Sequence, residues 1–283
     1  MENEDKHIKE FSKTYFLTAG ECNPQGEMPL QLVVERIIEI STLHANAWGV
    51  GYDNLIKRNE GWVLSRVTVE MKRYPTINES YTVTTWIEGY NRHFSQRNVA
   101  ITDASGEVVG EARTVWMAIN FATREGVDIS QLSYINSNVS SRRSGIEPQS
   151  RLRPVTQGRT ASYTFQYADC DFNRHVNTVR YLELLMNQFA MQKYDDCVLR
   201  RMEIAFLRET RYADTALVRT DDTDPDDCKM SIDVDGASHC KARFVFAPRT
   251  ETKKINQKGL RCPKRRLCAS AGQASGRHRT QAS

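Results

Sequence analysis

The chain has 283 residues and a mass of 32.4 kDa, with 40% hydrophobic and 26% charged residues and a mean hydropathy of −0.57. This fits a globular protein of two domains or one large one. It excludes a helical membrane span, because no run approaches about 18 apolar residues; the best short run is Val115-Trp116-Met117-Ala118-Ile119. Ten of the 39 basic residues but one of the 35 acids fall in 249–283, which leaves 29 against 34 and a net of −5 over residues 1–248. The overall charge of +4 therefore describes a tail, and a nucleic-acid reading from bulk charge fails for the body.

The start, Met1-Glu2-Asn3-Glu4-Asp5, is acidic and has no apolar stretch behind it. It carries no secretory or transit signal, so a cytoplasmic protein is expected. A short strand is expected over 13–19. A turn follows, then an amphipathic helix on which Leu30, Val33, Val34, Ile37 and Ile38 share one face. Pro29 suits the first turn of that helix. Val67, Val69 and Met71 alternate with polar residues as in a strand, and Asp103-Ala104-Ser105-Gly106 reads as a hairpin turn. Residues 131–160 are polar, and Arg142, Arg143, Arg151, Arg153 and Arg159 face only Glu147 there. They read either as a solvated linker or as a docking patch for an acidic partner.

The same order then recurs. A strand is expected over 161–168, a helix with Val179, Leu182, Met186 and Phe189 on one face, and a strand with Met202, Ile204 and Phe206 inward. Three stretches superpose without gaps: 15–35 on 163–183, 66–83 on 201–218, and 106–115 on 236–245. Their offsets of 148, 135 and 130 keep chain order, which argues for a duplicated unit. One helix followed by antiparallel strands implies an α+β unit with the sheet wrapped on the helix. Asp221 to Asp227 lacks the glycine and distal Glu of a calcium loop and reads as a turn. Residues 249–283 lose all periodicity, so disorder is expected. Seven cysteines with no CxxC read as reduced thiols. Cys262, Cys268 and His278 are too few and too irregular for zinc, so no metal and no cofactor is expected.

The copies differ in the turn before the helix. The second reads Asp171-Phe172-Asn173-Arg174-His175-Val176-Asn177, where the first has Asn23-Pro24-Gln25-Gly26-Glu27-Met28-Pro29. A carboxylate, an amide and an imidazole thus gather beside a helix N-terminus, suited to proton transfer and to a developing oxyanion. A polar helix cap is the plain alternative. Strand parity from Ile204 and Phe206 puts Glu209 on the opposite face, unless the strand bends or bulges first.

Asp171 to Tyr181 resembles the D-x-N-x-H-V-N-N-V-x-Y signature of the acyl-acyl-carrier-protein thioesterases, the plant fatty-acyl enzymes and their bacterial relatives. Arg66 to Pro75 with Thr82 to Trp86, and Phe206-Leu207-Arg208-Glu209, resemble two further stretches of that family, so the likeness runs from about residue 10 to 247. It implies a tandem double hot-dog fold, each repeat a long helix wrapped by an antiparallel sheet. The first repeat would span 1–130 and hold the acyl-chain pocket. An Arg-rich linker would span 131–160, the catalytic repeat 161–248 and the basic tail 249–283.

By the same resemblance Asp171, Asn173, His175 and Glu209 are the catalytic residues. Thr210 stands where plant members commonly have Cys, so a cysteine nucleophile is not supported. Glu209 and His175 would activate water, Asn173 would position water or carbonyl, and N–H groups of 175–178 would hold the oxyanion. Attack by the Asp171 carboxylate is the rival route. Trp48 and Trp62 are candidates for the acyl pocket, with ordinary core as the alternative. The implied partner is an acidic acyl carrier protein bearing a phosphopantetheine-linked acyl chain. Lys72, Arg73, Arg92 and Arg97 are candidates to dock it; a homodimer is allowed. The competing readings are an acyl-CoA thioesterase and a non-catalytic acyl- or nucleic-acid-binding protein using the tail.

Overall fold

The computed structural model describes residues 8–131 and 137–249. The basic tail from Thr250 on, with Cys262, Cys268 and His278, lies outside the described residues.

Alternating apolar residues make the strands, and 3.6-residue periodicity makes the helices. The first half comprises β1 (Glu10–Phe16), α1 (Leu30–Ala47), the short α2 (Tyr52–Leu55), β2 (Glu60–Met71), β3 (Ser80–Tyr90), β4 (Ser95–Asp103) and β5 (Val108–Asn120). The second comprises β6 (Arg159–Thr164), α3 (Thr178–Met186), α4 (Met191–Asp196), β7 (Cys197–Phe206), β8 (Thr215–Asp221), β9 (Asp227–Val234) and β10 (Ala237–Pro248). Among the described residues ten strands form one sheet in the order β1-β3-β4-β5-β2-β7-β10-β9-β8-β6. Each half repeats the same order outward from the central β2–β7 pair. That seam is antiparallel, with Val67 opposite Ile204 and Val69 opposite Met202.

The repeat extends to detail. The helices begin 148 residues apart, at Leu30 and Thr178. Asn78 and Ala213, 135 apart, are both left-handed at φ 64° and 66°, as are Gly106 and Gly236 in the hairpin turns. The core lies between helices and sheet. Val33, Ile37 and Ile40 of α1 are fully buried, as are Val67 on β2 and Ile232 on β9.

Three expectations change. Pro29 caps α1 from outside (ψ 151°), and the helix starts at Leu30. The second long helix is two pieces. α3 stops at Met186, whose carbonyl accepts from Tyr194 Oη at 2.7 Å. Phe189 then turns into a cluster with Tyr194, Phe244 and Phe246. The stretch 137–158 is not a bare solvated linker; it straps the outer face of the sheet. Gln149 Nε2 donates to the Ile204 carbonyl at 2.8 Å, and Ser150 N donates at 3.0 Å to Glu203, a fully buried carboxylate. Ser150 Oγ and Arg201 complete the shell of Glu203, so its burial is compensated. Arg142 stacks over Trp86 at 4.0 Å and pairs with Glu10, while Arg159 pairs with Asp222. Residues 221–227 form the β8–β9 turn, closed by Asp221 and Asp224 side chains on backbone N–H groups.

Candidate active site

The two turns that precede the helices share one backbone design. Asp171 N donates to His175 O at 2.8 Å and Arg174 N to Asp171 O at 3.0 Å; Asn23 N donates to Glu27 O at 2.8 Å and Gly26 N to Asn23 O at 2.9 Å. Asp171 Oδ1 accepts from the N–H of Asn173 at 2.8 Å and of His175 at 3.3 Å. Asn23 Oδ1 accepts from Gln25 and Glu27 N–H, both at 3.0 Å. Arg174 (φ 64°) stands where Gly26 (φ 72°) stands. A non-glycine residue pays about 1–2 kcal/mol for that region, so the second turn is held against a small cost. Since Asn does the work of Asp in the first copy, clamping this turn requires an oxygen acceptor but no charge.

The turn presents His175. Its Nε2 lies 3.3 Å from Glu209 Oε2. Sequence parity left the face of Glu209 open. β7 ends at Phe206, and Leu207 N and Arg208 N then both donate to His239 O, at 2.9 and 3.3 Å, as in a bulge. β10 shifts register at the same place, between Ser238 and Cys240. The bend carries Glu209 round to His175. Behind it Thr210 is fully buried; its carbonyl accepts from Val176 N at 2.8 Å, and its Oγ1 lies 2.8 Å from His239 Nδ1. Burial, with the charge of Arg208, holds His239 below the usual imidazole range.

Glu209 has a second partner that sequence reasoning missed. Arg124 Nη2, from the loop after β5 in the first half, donates to the same Oε2 that faces His175. Partial burial raises the Glu209 carboxyl, but the Arg124 hydrogen bond and the charges of His175, Arg124 and Arg211 outweigh it, so the net displacement is downward. Nothing local in residues 120–126 marks Arg124; its neighbour lies 85 positions away.

The remaining catalytic candidates divide. Asn173 is exposed, and its side-chain amide has no hydrogen-bond partner among the described residues. Of the backbone N–H groups expected to hold an oxyanion, three are spent: His175 on Asp171, Val176 on Thr210 and Asn177 on Asp169. Thr178 N–H, first in α3, is the one with no acceptor among the described residues. Asn177 caps α3 through Val179 N at 3.0 Å.

Asn173, His175, Thr178 and Glu209 line the mouth of a cavity of about 1320 Å³ that runs back between α1, β2 and β5 of the first half. Trp48 and Trp62 both line it, with indole N–H groups held by Ile8 O and Val50 O at 3.0 Å. Phe172, 76% exposed, meets Tyr52 edge-on at 5.5 Å across the entrance.

The docking candidates do not gather at this mouth. Arg97 is buried in the cavity wall: Nη1 binds His44 Nδ1 at 2.8 Å and Thr85 Oγ1 at 3.1 Å. It is unavailable to a protein partner. His44 is pushed down to about 4 by burial and by the Arg97 charge. Arg73 is bound to Glu79 and Asp103, and Arg92 to Asp128. Lys72 is exposed, but Lys72 and Arg73 occupy in the first half the place of Leu207 and Arg208 in the second, so they flank the turn of Glu27.

That turn shows what the first copy does instead. Glu27 sits at the position of His175, and Tyr74 at that of Glu209. Glu27 is bound by Arg249 at 2.9 and 2.8 Å, both side chains nearly fully buried. Arg249, counted with the tail from sequence, thus belongs to the packed body. Tyr74 is buried and donates to Leu199 O at 2.8 Å.

The model of the acyl-ACP thioesterase N-terminal domain matches residues 8–133, and that of the C-terminal domain matches 152–248. The chain belongs to the acyl-ACP thioesterase family. It is similar to the chloroplastic palmitoyl-acyl carrier protein thioesterase of Arabidopsis thaliana, 25% identical over 222 residues, 70% of this chain and 52% of that protein. The chloroplastic oleoyl-acyl carrier protein thioesterase of Coriandrum sativum is 23% identical, over 72% of this chain and 60% of its own. The chain thus spans about half the length of the curated relatives it matches. An acyl-ACP thioesterase from Bacteroides thetaiotaomicron superposes with a TM-score of 0.79 and 28% identity, covering 84% of this chain and 98% of that one. The 12:0-ACP thioesterase from Umbellularia californica shares the fold, with a TM-score of 0.76 at 20% identity and coverage of 85% and 98%. The tandem hot-dog expectation agrees with these family structures. Among the described residues no helix is long and apolar enough to cross a membrane.

Proposed function

We propose that this chain hydrolyses the thioester of a fatty acyl group borne by acyl carrier protein, releasing the free acid and ending elongation. The observation that carries the reading is the His175–Glu209 contact of 3.3 Å at the cavity mouth, with Glu27 and Tyr74 at the corresponding places of the other copy. Family membership supports the substrate class.

In this reading Glu209 Oε2 is engaged by His175 and Arg124, which leaves Oε1 to take a proton from water. The hydroxide oxygen bonds to the thioester carbon. The carbonyl oxygen, now negative, is held by Thr178 N–H and the Asn173 amide. The C–S bond then breaks, and His175 gives a proton to the departing pantetheine sulfur. The proton taken by Glu209 restores His175, so water plus thioester become acid plus thiol. Asp171 clamps the turn that presents Asn173 and His175, which favours direct water attack over an acyl-Asp171 intermediate. The first half supplies the acyl pocket, walled by Trp48 and Trp62. Arg174, Arg208 and Arg211 are exposed around the mouth and are the cations placed to meet an acidic carrier.

The test is turnover of purified chain on acyl carrier protein and on coenzyme A thioesters of matched chain length. Free acid should form faster, at equal concentration, from the carrier-linked series, and more slowly as salt rises. Equal or better use of the coenzyme A series points to the alternative substrate. No acid from either ends the hydrolase reading.

A further inference from the structure

Arg124 stands outside the turn and strand that carry the other site residues, yet it reaches the reacting carboxylate. Its loop is built to present it. Asn120 Oδ1 accepts from Ala122 N and Thr123 N at 3.0 and 3.2 Å, Arg124 N donates to Asn120 O at 2.8 Å, and Asn120 N donates to Glu125 O at 2.9 Å. Phe121 N ties the loop to Asn59 O at 2.8 Å. Arg124 itself is left-handed at φ 63°, a conformation that costs about 1–2 kcal/mol.

The return is not stability. The two side chains are 49% and 32% exposed, and an ion pair that open contributes about 0–1 kcal/mol. What the contact changes is the carboxylate. Glu209 Oε2 lies between Arg124 and His175 Nε2. Arg211 also faces Glu209, and His239 meets its backbone. The second copy makes the reciprocal gift: its Arg249 serves Glu27 of the first, buried and bidentate.

We infer that Arg124 is a positioning residue of the thioesterase reaction, supplied by the first half to fix the Glu209 carboxylate, ionised, against His175. This rests on the hydrolase reading above. Arg124 keeps Oε2 occupied and turned inward, so Oε1 faces the water. It also stabilises the charged form of Glu209, so the working carboxylate persists further into acid.

The test uses the full chain, wild type beside Arg124→Ala and Arg124→Lys. Glu209 is followed by carbon-13 carboxyl NMR titration, its signal assigned by loss in Glu209→Gln. Without Arg124 the Glu209 transition moves to higher pH, with Lys between, while the melting temperature stays within about 2 °C. The acid limb of kcat/KM moves up in step, and kcat at neutral pH falls by up to about 100-fold, the scale of a misplaced group. Identical Glu209 transitions in all three proteins overturn the inference. So does a uniform loss of kcat/KM with its limb unmoved, since a merely structural role predicts that. The titration needs no turnover. A chain inert toward acyl carrier protein therefore sinks the hydrolase reading, while the Glu209 transition still decides whether Arg124 governs that carboxylate.

Discussion

The turns at 23–29 and 171–177 share the Asn23/Asp171 clamp, the left-handed fourth position and the tie to a strand end, yet carry opposite chemistry. One carries Glu27, held by Arg249 in a buried ion pair; the other carries His175, facing Glu209 at the rim of a cavity. The backbone of this turn is therefore a general mount for whatever side chain stands at its fifth residue. In the proposed reaction, what sets the second turn apart is that side chain, the residue 34 positions later that the β7–β10 bulge swings toward it, and access to the cavity.

Disabling the second turn should be the most damaging change. His175→Ala or Glu209→Gln should lower kcat by about 10²–10⁴-fold, the usual worth of a positioned acid or base, with acyl binding retained. Full activity in Glu209→Gln, measured as free acid released, would remove the carboxylate from the reaction. Disabling the first turn should leave chemistry alone and weaken the fold. Arg249→Met removes the bidentate partner of the buried Glu27 carboxylate and should cost up to about 3–5 kcal/mol, read by denaturant unfolding. Joint replacement of Glu27 and Arg249 by Met should recover most of that, and failure to do so would show that the pair has a role beyond mutual neutralisation. The finest comparison exchanges the clamp. Asp171→Asn copies Asn23, so stability should change by less than about 1 kcal/mol. Any fall in kcat then measures what the Asp171 charge adds to His175; an acyl-Asp171 mechanism predicts near-complete loss.

Much of this duality is legible in the chain. The offset of 148 that aligns Tyr15 with Tyr163 also aligns the two helix starts, the two turns and the two capping residues Glu21 and Asp169. Hydrophobic spacing places Val33, Ile37, Val67 and Ile204 in the core because period and burial are local properties. What escaped is non-local. The bend that rescues Glu209 is made by a carbonyl on another strand, His239, 30 residues on. Arg97 reads as a surface cation until β4 is packed beneath α1, where it meets His44 across 53 residues. Arg124 and Arg249 are ordinary basic residues in loops until the halves close on one another.

That closure has a temporal side. Glu27 meets its guanidinium only across 222 residues of chain. A nascent polypeptide emerging from the ribosome exposes its first helix and its first five strands long before the cation that binds Glu27 has been added. Until the final strand pairs and its end docks, the early half lacks the bidentate clasp on Glu27. One residue at the far end of the chain thus ties the first turn to completion of the second half, so the stabilities of the two halves are linked.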